Sequence, residues 1–418
     1  MKEFRSITKR IIAVILATCL ISALTACRGD NTTGSDGAEN TSINSTASGA
    51  PDADKAAVLE KLEKELAPYR GKPQFTEASL EKVDAASVME GKKIFIIPYD
   101  PTNLFSSNIA KNEEIILKAL GAEPFVYEGE NSADGWSKGI QMAIAQKYDI
   151  VDLVGGADVT LIEPAIAAAQ KAGIIVMDSH GADIKDKFTD DYTVGADYYK
   201  SAALQMYYAL DYAQKNLGGF EKLDMLIVGC TGLPCDITVK KGFDDLTAEY
   251  SKYGCKFTLK QIPSTEWDTK TQEEVQSALT ADPNINFICS YYDNQLLRVL
   301  PALEQMGKTD IPTISYNGSP NVLDYVKSGQ INMDIGESVR WMAYHCIDCM
   351  IRALDKKEVP NNAGYAMYFI TKDNIDNCLN PETKKADYAH DGVEDVYNKG
   401  YADLWNFDVS KIDFSKIK

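Results

Sequence analysis

The chain is short of positive charge, with 43 lysine and arginine residues against 61 aspartate and glutamate residues. A net charge of −18 argues against nucleic acid or anionic lipid as partners, because both need a basic surface. Only three histidines occur, and we find no Gly-x-Ser-x-Gly elbow, phosphate-binding loop, dinucleotide fingerprint or metal-ligand spacing. We therefore expect no enzyme, no cofactor and no metal site.

Long apolar runs are also scarce, and the one that stands out lies at the N-terminus. The run Ile11 to Leu24 follows four basic residues and is too short to span a membrane comfortably, which is typical of a cleaved export signal. It ends in Leu-Thr-Ala-Cys at residues 24–27, which resembles the lipobox of bacterial lipoproteins. That resemblance implies cleavage after residue 26 and a lipid on Cys27. An ordinary signal peptide with a chance cysteine is the alternative.

Cysteine is uncommon after Cys27, and its pattern does not indicate a metal centre. Seven cysteines remain, so an exported chain keeps at least one free thiol. Cys346 and Cys349 form a Cys-x-x-Cys beside His345, but they lie in a helical pattern without a second ligand pair. We interpret them as small buried residues of a helix.

The remaining chain divides into a linker, an extension and a folded body. Residues 27–52 are small and polar, which is typical of a flexible linker, and residues 53–90 show a helical pattern of unclear role. From residue 91, apolar strand patterns alternate with helical periodicity in two successive blocks. This predicts an α/β fold with two doubly wound, Rossmann-like parallel sheets.

Polar and aromatic residues recur where the predicted strands end. In open parallel sheets ligands bind beyond the carboxyl ends of the strands. Carboxylates and amides can bridge neighbouring hydroxyls of a sugar, and aromatic rings can cover its C–H faces. Any one of these polar residues could instead cap a helix. Together they indicate a site for a small polar ligand.

Several segments resemble the type 1 periplasmic binding proteins, the ribose-binding-like group that serves ABC importers. They are residues 101–105, 155–158, 172–180, 242–243, 292–294, 316–318 and 369–374, which match in order and spacing. The resemblance implies two lobes joined by three hinge crossovers near residues 196–197, 337–338 and 369–370. The lobes would comprise residues 91–196 plus 338–369 and residues 197–337 plus 370–418.

The resemblance also implies a ligand site in the cleft between the lobes. Carried onto matching positions, and with His180 added for its place at a strand end, the candidates are Asn103, Phe105, Asp178, His180, Trp267, Tyr292, Asp293, Asn317 and Glu337. The family's usual arginine after the Asp178 position is Ser179-His180 here, and a second arginine position near Ile237 is apolar. Ribose specificity therefore does not carry over.

Together these features predict a monomeric, lipid-anchored binding protein on the outer face of the cytoplasmic membrane of a Gram-positive cell. It would bind a monosaccharide or related polyol and deliver it to the transmembrane subunits of an ABC permease. Hexose, pentose, inositol, a furanose signal and a nucleoside all stay open as ligands. The alternatives are a ligand-sensing subunit for a chemoreceptor or sensor kinase, and a carbohydrate-active enzyme that uses two of the carboxylates.

Overall fold

The structure, a computed structural model, describes residues 52–182, 190–360, 366–388 and 390–417. The predicted signal peptide, Cys27 and most of the linker therefore lie outside the described residues. Within the described ranges, no helix combines the length and the apolar character needed to cross a membrane. The predicted extension contains two helices, α1 (Asp52–Leu66) and α2 (Ala85–Met89).

The first sheet has five parallel strands in the order β2-β1-β3-β4-β5. These are β1 (Lys93–Pro98), β2 (Glu123–Val126), β3 (Ile150–Val154), β4 (Ile175–Ala182) and β5 (Tyr192–Ala196). The helices between them are α3 (Leu104–Ala119), α4 (Ala133–Ala145) and α5 (Glu163–Lys171). The central strands β1 and β3 are almost fully buried, as their continuous apolar sequences require of a sheet covered on both faces.

The second sheet has six strands in the order β11-β10-β9-β8-β6-β7. These are β6 (Asp224–Thr231), β7 (Lys256–Pro263), β8 (Phe287–Ser290), β9 (Thr313–Asn317), β10 (Met333–Glu337) and β11 (Met367–Thr371), and β11 runs antiparallel to β10. Its helices are α6 (Tyr198–Asn216), α7 (Asp236–Ser251), α8 (Trp267–Ala281), α9 (Asp293–Met306) and α10 (Pro320–Ser328). Two doubly wound parallel-dominated sheets confirm the predicted fold class.

The chain then returns to the first sheet. Helix α11 (Val339–Leu354) packs against α3 and is buried along nearly its whole length. Cys346 and Cys349 are both fully buried in α11, which confirms their interpretation as packing residues. We define the first lobe as the first sheet with α3–α5 and α11, and the second lobe as the second sheet with α6–α10.

The C-terminal region differs from the predicted division between the lobes. The predicted boundary at 369/370 falls inside β11, which pairs with β10 along its whole length, so the chain changes lobe between Leu354 and Met367. The last helix, α12 (Glu394–Trp405), was assigned to the second lobe but packs on α11 of the first. The reason is an aromatic cluster that the helical pattern of α12 builds: Tyr344 of α11 stacks on Tyr401 at 5.0 Å and contacts Trp405 at 5.3 Å.

Candidate functional site

A cleft of about 350 Å³ lies where the carboxyl ends of strands from both sheets approach each other. The first lobe contributes Tyr99, Asp100, Asn103, Phe105, Ser106, Asn131, Gly155, Gly156 and His180. The second lobe contributes Tyr198, Leu233, Cys235, Ser264, Thr265, Trp267, Tyr292, Asn294 and Asn317. The volume lies within the range of about 300–1,000 Å³ for small-molecule sites.

Six of the nine predicted ligand residues line this cleft: Asn103, Phe105, His180, Trp267, Tyr292 and Asn317. Asn103 also caps α3, since its Oδ1 accepts hydrogen bonds from the backbone N–H groups of Phe105 at 2.9 Å and Ser106 at 3.2 Å. The helix-cap and ligand roles of this residue are thus compatible, because the cap uses the amide oxygen and does not use the NH₂ group.

The second-lobe wall of the cleft is aromatic. Trp267 begins α8, and its ring lies 6.0 Å from the ring of Tyr292. The Tyr292 hydroxyl donates to Asp236 Oδ1 at 3.1 Å and lies 3.0 Å from Cys235 Sγ, which fixes the ring in place. Burial raises the pKa of Tyr292 well above its usual range and the pKa of Cys235 to about 12, so both groups stay neutral.

His180 joins the two lobes at the base of the cleft. Its Nε2 lies 3.0 Å from Glu337 Oε2, and its Nδ1 lies 3.0 Å from the hydroxyl of Tyr198. A carboxylate can only accept, so Nε2 of His180 is the donor to Glu337, and Nδ1 lies within hydrogen-bond distance of the Tyr198 hydroxyl. The backbone of His180 has φ of +58°, a left-handed conformation that a non-glycine residue seldom adopts. Its ring meets Phe105 edge-on at 5.0 Å.

Two adjacent glycines shape the first-lobe wall. Gly155 and Gly156 follow β3 with φ values of +91° and +98°, and both line the cleft. A Cβ on Gly155 would lie 2.6 Å from Cβ of Ser106, so only glycine lets this loop pack against the start of α3.

The three predicted carboxylates are absent from the described cleft lining. Asp293 begins α9 and is fully buried, and its Oδ2 accepts from the backbone N–H of Ser319 at 2.7 Å. Glu337 lies behind His180, with its side chain fully buried. Asp178 is buried in β4, and that burial, with Asp190 nearby, raises its pKa well above its usual range. Asp293 therefore holds a loop and Glu337 a strand end, and the strand-end rule did not separate the three acids from residues that line the cleft.

A family model described as "Periplasmic binding protein domain" matches residues 94–358, more than half of the chain. The chain belongs to the periplasmic binding protein family. This is a family of binding proteins rather than of enzymes.

Two curated relatives resemble this periplasmic binding protein. A xylitol-binding protein of Mycolicibacterium smegmatis is 22% identical over 316 residues, covering 75% of this chain and 86% of that protein. A ribose import binding protein of Salmonella typhimurium is 27% identical over 128 residues, covering 30% of this chain and 41% of that protein.

Solved structures share the fold of this periplasmic binding protein. A periplasmic ribose ABC transporter protein of Conexibacter woesei superposes with a TM-score of 0.60 at 17% identity, over 69% of this chain and 94% of that one. A solute-binding protein of Mycobacterium smegmatis with bound glycerol gives a TM-score of 0.60 at 17% identity, over 71% of this chain and all of that one.

The described lining of this binding protein is almost uncharged. It contains no lysine or arginine, and its one carboxylate is Asp100. Oδ1 of Asp100 accepts from the N–H of Thr102 at 2.8 Å and from its hydroxyl at 2.7 Å, and Oδ2 accepts from Asn131 at 3.3 Å. The described ranges also hold no group of three or more histidine, cysteine or acidic side chains that could bind a metal ion.

The sequence reasoning missed several lining residues of the binding protein. Tyr99 and Cys235 follow β1 and β6, so the strand-end rule could have found them. Tyr198 begins α6 directly after the crossover and reaches the cleft only because the two lobes meet there, and no sequence pattern marks it.

Proposed function

We propose that this protein is the substrate-binding lipoprotein of an ABC importer and that it binds one uncharged monosaccharide or polyol in the cleft. The observation that carries the proposal is that both lobes supply lining groups suited to such a ligand. Phe105 and His180 come from one lobe, and Trp267, Tyr292 and Asn317 come from the other. A ligand held by both lobes favours the closed arrangement, because it contacts the two walls together only there.

The chemistry of the lining supports a neutral ligand with both hydroxyls and apolar faces. Aromatic rings pack on C–H faces, and side-chain amides donate to and accept from hydroxyl groups. Asn103 and Asn317 place such amides on opposite walls. Apart from Asp100, whose carboxylate oxygens already accept hydrogen bonds, the described lining offers no charged partner to a sugar acid, sugar phosphate or amino sugar. Binding a charge without a partner would cost desolvation energy.

Lipid attachment at Cys27 and export through residues 1–26 complete the proposal. Their support is the basic and apolar pattern of the first 26 residues and the Leu-Thr-Ala-Cys sequence that ends it. The folded body would then be held at the outer face of the cytoplasmic membrane of a Gram-positive cell, where it acts as a monomer. There it would deliver its ligand to the transmembrane subunits of the permease.

A panel of matched ligands tests the proposal. The melting temperature of the purified protein is measured with hexoses, pentoses and polyols. It is also measured with the uronic acid and the amino sugar derived from each hexose. We expect at least one neutral compound to raise the melting temperature by mass action on the folded state, and its charged analogues to raise it less. A panel in which no carbohydrate or polyol shifts the transition would contradict the sugar assignment.

A further inference from the structure

The segment that precedes the first sheet is attached to the second lobe at its beginning. Helix α1 packs along α6, and its Leu62 and Leu66 are buried. Four ion pairs join this segment to the second lobe: Lys55–Glu221 at 3.0 Å, Lys61–Glu249 at 3.0 Å, Glu65–Lys200 at 2.9 Å and Arg70–Asp211 at 3.2 Å. The ring of Tyr69 also lies 5.9 Å from that of Phe369 in β11.

The same segment is attached to the first lobe a few residues later. The ring of Phe75 stacks on Trp341 of α11 at 6.2 Å. Oε1 of Glu77 lies 2.7 Å from Nδ1 of His345 in α11, and both side chains are buried. Further along, the backbone carbonyl of Glu81 accepts a hydrogen bond from the guanidinium of Arg352 in α11 at 3.0 Å.

The C-terminal segment crosses between the lobes as well. Strand β11 belongs to the second sheet, whereas α12 packs on α11 of the first lobe. Between them, Asp391 accepts a hydrogen bond from Ser338, the residue that links β10 to α11. Trp405 then donates from Nε1 to Asp348 of α11 at 2.8 Å.

The N-terminal segment and the C-terminal segment both lie outside the part of the chain that the family model matches. The family model matches residues 94–358, and 69% of this chain already covers 94% of the Conexibacter woesei structure. Beyond the passages between β5 and α6, β10 and α11, and α11 and β11, the chain passes between the lobes twice more. These passages are residues 70–75 and the residues that join β11 to α12.

We propose that residues 52–90 and the chain from Asp391 onward form a strap across the hinge, which limits how far the lobes separate when the cleft is empty. None of the residues named in these two attachments lines the cleft, so the strap acts on the opening of the lobes rather than on the ligand. The proposal does not depend on which ligand the cleft binds.

The length of the connection sets the limit. Arg70 is paired on the second lobe and Phe75 is packed on the first, so five Cα–Cα steps join the two attachments. Fully extended, they span at most about 18 Å, at roughly 3.6 Å per residue. Lys72, in the middle of this connection, also pairs with Asp395 of α12 at 2.7 Å. An opening that would carry the attachments further apart must first detach one of them.

Salt and charge removal should weaken the second-lobe attachment more than the first-lobe attachment. Its ion pairs are partly exposed, and such pairs are individually weak and screened by salt. The first-lobe attachment is made of buried rings and the buried Glu77–His345 pair. Increasing the ionic strength or removing the lysine and arginine partners should therefore weaken this attachment, although the buried Leu62 and Leu66 still hold α1, and let the lobes open further.

Distances between spin labels across the empty cleft test the strap. Leu104 at the start of α3 and Ile237 in α7 are 59% and 66% exposed on opposite lobes, and the seven native cysteines of the described ranges are buried. The full chain with Cys19→Ser, Cys27→Ser, Leu104→Cys and Ile237→Cys is labelled and measured by pulsed electron paramagnetic resonance. One variant adds Lys55→Ala, Lys61→Ala and Arg70→Ala. A second inserts about six glycine and serine residues after Lys72, a connection length that loops tolerate.

Two controls match these variants. Lys64→Ala, Lys82→Ala and Lys111→Ala together remove the same charge from exposed residues, and the same insertion is placed at Gly49. We expect each strap variant to give a broader distribution at longer distance and both controls to match the parent. A shift in either strap variant beyond its control supports the proposal. The proposal would be overturned if every strap variant that folds, including the insertion variant, gave the same distance distribution as its control.

Discussion

Nε2 of His180 lies 3.0 Å from Oε2 of Glu337, and this contact joins the end of a strand in one lobe to the end of a strand in the other. Both side chains are almost fully buried. His180 thus presents its ring to the cleft in an orientation that is fixed from the opposite lobe. The cleft floor is therefore shared by the two lobes.

Replacing Glu337 tests this contact. We expect Glu337→Leu to lower the free energy of unfolding by about 1–3 kcal/mol, because the imidazole N–H loses its acceptor in a buried place. Glu337→Gln keeps an acceptor oxygen and should cost less. Chemical denaturation measures both values, and Glu304→Gln on an exposed helix position serves as the control. Equal losses in the leucine and glutamine variants would show that the hydrogen bond to His180 does not stabilise the fold.

Asp178 gives a prediction that reverses the expectation from sequence. Burial raises the pKa of Asp178 well above its usual range, and Asp178 is not among the described lining residues, so Asp178→Asn should preserve the melting-temperature shift that a ligand produces. Because the pKa of Asp178 is raised in the folded state, its favourable contribution to the free energy of unfolding is lost as the pH rises above the ordinary pKa of an aspartate. The variant should therefore be at least as stable as the parent at about pH 8. Loss of the ligand shift in a folded Asp178→Asn variant would place this residue in the site.

Asp178 also shows where sequence reasoning stops. Apolar strand runs such as residues 94–97 predicted the sheets, because a buried parallel strand has to be apolar throughout. The rule that ligands lie beyond strand ends found Trp267 and Asn317, but it could not tell which way a side chain points there. Asp178 and Asp293 are buried in the protein, and Oδ2 of Asp293 accepts from the backbone N–H of Ser319.

The position of the C-terminal helix shows a second limit. The predicted division placed residues 370–418 in the second lobe, but the partner of α12 is α11, close to 50 residues earlier in the chain. That choice depends on rings from both helices and on the Trp405–Asp348 hydrogen bond. Such long-range complementarity leaves no periodic pattern in the sequence.

A buried pair of acids predicts a pH dependence of stability. Glu113 in α3 and Asp152 in β3 are fully buried, and burial raises the pKa of Glu113 well above its usual range, with Asp152 adding to the effect. Burial also raises the pKa of Asp152 to about 7. Both folded pKa values lie above the unfolded ones, so the pair's stabilising contribution is present below about pH 4 and is lost as pH rises through about 7.

Glu113→Gln should therefore flatten the decline in the free energy of unfolding between about pH 5 and about pH 8. The measurement is urea denaturation across that range. Glu114→Gln, the neighbouring residue that pairs with Lys118, removes the same charge and should leave the slope unchanged. If the parent and Glu113→Gln lose stability with the same slope, the buried pair does not titrate as we describe.

The predicted lipid anchor is tested by Cys27→Ser. In cells that process lipoproteins, we expect the parent in the membrane fraction and the variant in the medium, because acyl chains hold the parent at about 0.8 kcal/mol per buried CH₂. Fractionation followed by immunoblotting measures the distribution. A variant that stays with the membrane would mean that something other than a lipid on Cys27 retains the protein.

The most direct test of the cleft as the binding site is calorimetric titration of the neutral ligand that gives the largest melting-temperature shift. For the parent we predict one ligand per chain. For Trp267→Ala and Asn317→Ala we predict affinities at least about tenfold weaker with the fold intact, since each loses a contact worth roughly 1.4 kcal/mol or more. Undiminished affinity in both variants would contradict the assignment of the cleft.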